Sequence, residues 1–213
     1  SDCDAFDTGH SSTSISLALG MAKARDLKNE KSRVFAVIGD GALSGGMAFE
    51  ALNNAARLKS NLVIVLNDNQ MSISKNVGGM SNYLGNIRTN TNYTGLKEDV
   101  ENRLRSMSHI GNALADHIKG AKDIVKRLFV PGMLFEDMGI TYIGPIDGHD
   151  IRQMVNAFEN ASKLQKAVIV HVCTKKGKGY LPAENDPSAF HGVAPFKPSD
   201  GSLKNKEKQL TYT

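Results

Sequence analysis

The sequence predicts an α/β domain: a parallel sheet flanked by helices. Two observations carry this. Four short runs are apolar at consecutive positions instead of alternating ones, as in strands covered on both faces: "RVFAVI" (Arg33 to Ile38), "NLVIVL" (Asn61 to Leu66), "TYIGPI" (Thr141 to Ile146) and "AVIVHVC" (Ala167 to Cys173). Segments with a helical period lie between them, and strands alternating with helices make a parallel sheet.

Taken in order, Ser12 to Asp26 is rich in Ala, Leu and Ile and opens on Ser and Thr, candidate helix caps. After the first strand, Ala48, Leu52, Ala55 and Leu58 form one apolar helix face. Leu104, Met107, Leu114, Ile118, Ala121 and Leu128 recur at helical steps and predict a longer helix. A last helix is expected from about Asp150 to Ser162, with Asp147 or Asp150 as its cap. Asn69 to Tyr93 shows no clear period and is too long for an idle connection. From Lys175 onward the chain is rich in Gly, Pro and Lys and reads as extended. The expected division is one domain over 1–195 and a linker or tail over 196–213. Four strands are few for such a sheet, so the fold is expected to be incomplete.

The 213 residues carry a net charge of +4 and 40% hydrophobic residues, a composition that suits a globular core. No dense basic block with interleaved aromatics speaks for nucleic acid. No apolar run reaches bilayer length, and no secretory leader is evident, so a cytoplasmic location is expected. Cys3 and Cys173 form neither a metal-ligand pair nor a disulfide framework, and Cys173 reads as a small buried hydrophobe.

The chemistry lies at two strand ends. "RVFAVI" runs into Gly39-Asp40-Gly41 and then a helix; "NLVIVL" runs into Asn67-Asp68-Asn69. Ligands of open α/β sheets bind outside the carboxyl ends of strands. Adjacent parallel strands would set Asp40 beside an Asn, and carboxylate, amide and carbonyl oxygens are the hard donors that magnesium takes, with phosphate and water completing six. The plain alternative is a pair of polar turns, an Asp cap and Asn turn formers.

"GDG" followed after 27 residues by Asn is similar to the magnesium and diphosphate motif of thiamine-diphosphate enzymes. Longer stretches narrow the resemblance: "GHSSTSISLALGMA" from Gly9, "VIGDGALSGGMAFEALNNA" from Val37, "VLNDNQMSIS" from Val65, "LFEDMGITYIGPIDGHD" from Leu134 and "TKKGKGYLPAENDP" from Thr174. Together they resemble the 1-deoxy-D-xylulose-5-phosphate synthases over nearly the whole chain. Transketolases share "GDG", "DGHD" and "KGKG" in looser form.

The resemblance implies a transketolase-like, thiamine-diphosphate-binding fold and a set of roles. Asp40, Asn69 and the carbonyl of Met71 would hold magnesium. Gly41 and Ala42 would meet the diphosphate through the backbone, and Gly9, His10 and Ser11 would touch the cofactor. Lys176 would contact the diphosphate, Tyr180 would pack near the cofactor, and His191 would act on substrate. Read without it, His10 is a helix-start residue, Lys175, Lys176 and Lys178 are solvated charges, Tyr180 is packing beside Pro182, and His149 is structural. His109, His117 and His171 sit in no motif.

The family joins pyruvate to glyceraldehyde 3-phosphate with loss of carbon dioxide, and its members form dimers. Complete synthases are about three times longer, the length of several domains. Their pyrimidine-binding domain carries the glutamate that activates the cofactor, and no segment here matches it. The chain is therefore expected to be the diphosphate half of the enzyme, inactive alone. A transketolase-like subunit and a non-catalytic thiamine-diphosphate-binding module are the alternatives.

Overall fold

The computed structural model describes residues 4–58, 60–89 and 133–202. The helix expected around Leu104 to Leu128 lies outside them. The strands are β1 (Phe35–Gly39), β2 (Leu62–Asp68), β3 (Thr141–Asp147) and β4 (Ala167–Cys173). The helices are α1 (Ser14–Leu27), α2 (Asp40–Leu43), α3 (Gly46–Leu58), α4 (Gly79–Thr89), α5 (Met133–Asp137), α6 (Ile151–Ser162) and α7 (Leu181–Asn185). All four strands pair in parallel in the order β1-β2-β4-β3.

Successive side chains of a strand point to opposite faces, and here both faces are covered. Ile64 and Leu66 of β2 and Ile169 of β4 join Ile15 and Leu19 of α1 and Leu52 of α3 in one core. Val63, Val65, Val168 and Val170 face the other way, against Ala157 and Ala161 of α6. This is why β2 and β4 are apolar at consecutive positions. At the edge the covering thins: Ala36 and Ile38 of β1 are buried, while Phe35 and Val37 are 42% and 64% exposed.

The helix ends differ in how they are built. Asp150 caps α6, its carboxylate accepting from Gln153 N at 3.0 Å, as its sequence position suggests. Thr13, at the start of α1, makes no such bond; its hydroxyl donates to the carbonyl of His10 at 3.1 Å. The period-free stretch after Asn69 contains α4, whose two buried residues are Leu84 and Ile87, too few to impose a stripe on the sequence. The segment after Lys175 is not extended throughout: turns lead into α7, with Pro182 in its first turn. Proline is tolerated there because that N–H has no helical partner. Among the described residues no helix is long and apolar enough to cross a membrane.

Candidate functional site

The parallel register pairs Gly39 of β1 with Asn67 of β2, so both polar turns leave the sheet side by side. Asp40 is 5% exposed. Its Oδ1 accepts from Gly41 N at 2.9 Å and its Oδ2 from Gln70 N at 2.6 Å. The second bond ties the two turns together at the residue between Asn69 and Met71. Gln70 itself has φ of 64°, a left-handed conformation uncommon for a residue with a side chain. Asn69 closes the turn, its Oδ1 accepting from Met71 N at 3.0 Å.

Gly41 must be a glycine for a local reason: a Cβ there would come within 2.8 Å of the Ser72 Cβ. The close approach lets Asp40, Gly41 and Ser44 share a cleft of about 200 Å³ with Ser72, Asn76 and Ser81. Small-molecule sites usually enclose roughly 300–1,000 Å³, so this one suits one end of a ligand. A larger groove, about 490 Å³, lies over α1 and α3 between Lys23 and Glu50, on helix surfaces away from the strand ends.

Burial, reinforced by the neighbouring Asp68, pushes the Asp40 carboxyl above the usual carboxylate range. Burial works the same way on Asp68, but the hydrogen bond from His171 and the Arg88 guanidinium outweigh it and hold that carboxyl low. Two buried carboxyls this close disfavour each other's charge, and a cation placed between them could relieve that repulsion. The nearby amide oxygen of Asn69 and carbonyl oxygen of Met71 are hard donors of the type that could hold a magnesium-like cation.

The other expected residues divide. Lys176, half-buried, donates to the carbonyl of Ser72 and lies 2.7 Å from His191 Nδ1, which brings both to the rim of the cleft. Gly9, His10 and Ser11 are exposed. Their neighbour Ser12 makes the link to the Asp40 turn, its hydroxyl donating to the Ala42 carbonyl at 2.7 Å. Tyr180 turns into an aromatic cluster with Phe190 and Phe196 and donates to the Pro198 carbonyl at 3.0 Å. His149 accepts from Lys175 N at 2.9 Å, a structural tie that steadies the start of the lysine loop.

Sequence reasoning passed over His171. It is fully buried, with Nδ1 2.6 Å from the Tyr142 hydroxyl and Nε2 2.9 Å from Asp68 Oδ2. The usable signal was period two: Tyr142 pairs with Ile169 and Leu66 with His171, so Tyr142, His171 and Asp68 share one face of three neighbouring strands.

A family model described as 1-deoxy-D-xylulose-5-phosphate synthase matches residues 1–174. The chain belongs to that family. It is 61% identical over all 213 residues to the 1-deoxy-D-xylulose-5-phosphate synthase of Lachnoclostridium phytofermentans, covering 34% of that protein. It is 55% identical over 210 residues to the synthase of Halothermothrix orenii, 99% of this chain and 33% of that one. The chain thus spans about a third of the length of the curated relatives it matches. A solved transketolase from Campylobacter jejuni aligns with 83% of this chain and 21% of its own, at 21% identity and a TM-score of 0.49. For this synthase-family chain the architecture rests on its own parallel sheet.

Proposed function

We propose that the chain is the magnesium- and diphosphate-binding part of a 1-deoxy-D-xylulose-5-phosphate synthase, with thiamine diphosphate as cofactor. One observation carries the reading: the buried Asp40 carboxylate is joined at 2.6 Å to the turn that presents Asn69 and Met71. Asp40, Asn69 and the Met71 carbonyl hold the magnesium ion. Gly41 and Ala42 form the floor beside the diphosphate, where a side chain on residue 41 would not fit. Lys176 faces the diphosphate charge and His191 acts on substrate, a pairing supported by their 2.7 Å contact. Gly9, His10 and Ser11 edge the cofactor from the loop that Ser12 anchors. Tyr180 supports this wall through its aromatic cluster.

Bound there, thiamine diphosphate supplies the nucleophilic carbon and the electron sink for decarboxylating a 2-oxo acid. The whole enzyme condenses pyruvate with glyceraldehyde 3-phosphate and releases carbon dioxide. The domain takes in 1–195, and 196–213 is a linker or tail whose first residues, Phe196 and Pro198, rest against Tyr180. A pyrimidine-binding domain or subunit completes the site, in a cytoplasmic homodimer.

Calorimetry with thiamine diphosphate tests the reading. Binding is expected with magnesium, lost with excess chelator, and lost in Asp40→Ala while the protein stays folded. Equal affinity with and without chelator would overturn it. Carbon dioxide release from labelled pyruvate is expected only when the pyrimidine-binding segment is supplied; robust turnover by the 213-residue chain alone, lost in Asp40→Ala, would assign cofactor activation to other residues.

A further inference from the structure

Behind the Asp40 turn lies a buried polar chain that none of the roles above uses. The simplest hydrogen-bond assignment has the Tyr142 hydroxyl donating to His171 Nδ1, and His171 Nε2–H donating to Asp68 Oδ2. The other oxygen, Oδ1, accepts from Gln70 N at 3.1 Å and from the Arg88 guanidinium at 3.1 Å. Arg88 also donates to the Asp68 carbonyl. His171 and the Asp68 side chain are 0% and 2% exposed, so water satisfies neither. The Gln70 N–H is shared between Asp68 and Asp40, at the left-handed residue flanked by Asn69 and Met71. Left-handed backbone at a residue with a side chain persists where its surroundings over-determine it. Here two carboxylates on one N–H do so.

We infer that Asp68, gripped from within the sheet by His171, which Tyr142 holds in turn, and by Arg88 from α4, is the positioning residue of the cation site, fixing the Gln70 turn so that Asn69 and Met71 present their oxygens. The inference rests on the proposed cation-binding reading. Groups that orient a metal's ligands commonly matter 10–100-fold to its affinity. Asp68 does this without being a ligand: His171 occupies one of its oxygens, and Gln70 and Arg88 the other.

Asp68, His171 and Cys173 also bring their donor atoms within 4.8 Å of one another, the spacing of a second metal site. The Arg88 guanidinium already supplies positive charge to Asp68 there. Burial raises the Cys173 thiol pKa and so disfavours the thiolate that a metal would need. The trio is therefore an internal hydrogen-bonded support.

The test titrates manganese, standing in for magnesium, into the full chain at fixed thiamine diphosphate, with free manganese read by electron paramagnetic resonance. Thermal unfolding of each cation-free variant runs beside it. Asp68→Asn is expected to raise the half-saturating manganese concentration about 10–100-fold. Tyr142→Phe, which keeps the ring stacked on Phe135, raises it less, and His171→Gln, which keeps a donor toward Asp68, less than His171→Leu. In the cation-free protein the Gln70 amide proton moves upfield in Asp68→Asn. Lower melting temperatures with wild-type manganese titrations in Tyr142→Phe and His171→Leu would reduce the chain to a structural role and overturn the inference. If Asp68→Asn fails to fold, those two variants decide. Asp40→Asn separates the two readings. Should it abolish cation dependence while Asp68→Asn titrates like wild type, only this inference falls; should wild type show no cation dependence, both fall.

Discussion

Asp40 meets Gln70 N at 2.6 Å, and Lys176 meets His191 at 2.7 Å, yet the two contacts belong to regions held in different ways. The first sits at the carboxyl end of the sheet, backed by Asp68, His171 and Tyr142 within the core. The second sits on the arm over 175–202, whose own ties are the exposed Lys175–Glu184 ion pair and the Tyr180–Phe190–Phe196 ring cluster. Distance does not distinguish them; water does. Where solvent is excluded, an orphaned charge has no substitute partner. Where solvent reaches, water replaces either partner at little cost. The buried end is suited to preset geometry, while the ties of the arm are open to exchange with water.

The largest expected effect falls on the buried side. Asp68→Leu strands His171 and leaves Arg88 only the backbone carbonyl of residue 68, and urea denaturation should show a loss of about 3–5 kcal/mol. A loss near that of a surface substitution would break the contrast. Tyr142→Phe deletes one hydroxyl and leaves His171 Nδ1 without its donor, a cost of about 1–3 kcal/mol in the same measurement.

Acid should then separate the two carboxylates. The Asp68 pKa is lowered in the folded protein, so its contribution is present above the ordinary carboxylate value and lost as pH falls through the lowered one. The Asp40 pKa is raised, so the folded state takes up its proton first. Acidification between that raised value and the ordinary one should stabilise the cation-free wild type relative to Asp40→Ala. Urea midpoints across a pH series check the sign, and parallel curves for the two proteins would refute it. On the arm, Lys176→Met should leave the unfolding midpoint unchanged while weakening thiamine-diphosphate binding by about tenfold, the scale of one charge-assisted contact. A shift of both would mean that the arm is part of the core.

Much of this was legible without coordinates. Consecutive apolar residues in "NLVIVL" and "AVIVHVC" announced strands covered on both sides, and Ala167 to Cys173 matches β4 at both ends. Asp150 announced its cap. Gly39-Asp40-Gly41 and Asn67-Asp68-Asn69 announced two polar turns at strand ends, because strand endings and turn residues are local properties of the chain. The helix α4 was not legible, since only two of its residues are buried. The aromatic surroundings of Tyr180 were not either, since Phe190 and Phe196 reach it only after the chain turns back.

The sequence by itself determined the α/β class, the strands, the family and the two turns that carry oxygen donors, because each is written in neighbouring residues. Tertiary structure alone decided that β4 lies between β2 and β3. That order sets His171 between Asp68 and Tyr142, residues 103 and 29 positions away along the chain. A histidine in an apolar strand has no local pattern to betray its use. Its partners come from neighbouring strands, and only the pairing of the sheet, driven by burial on both faces, brings them within hydrogen-bond reach.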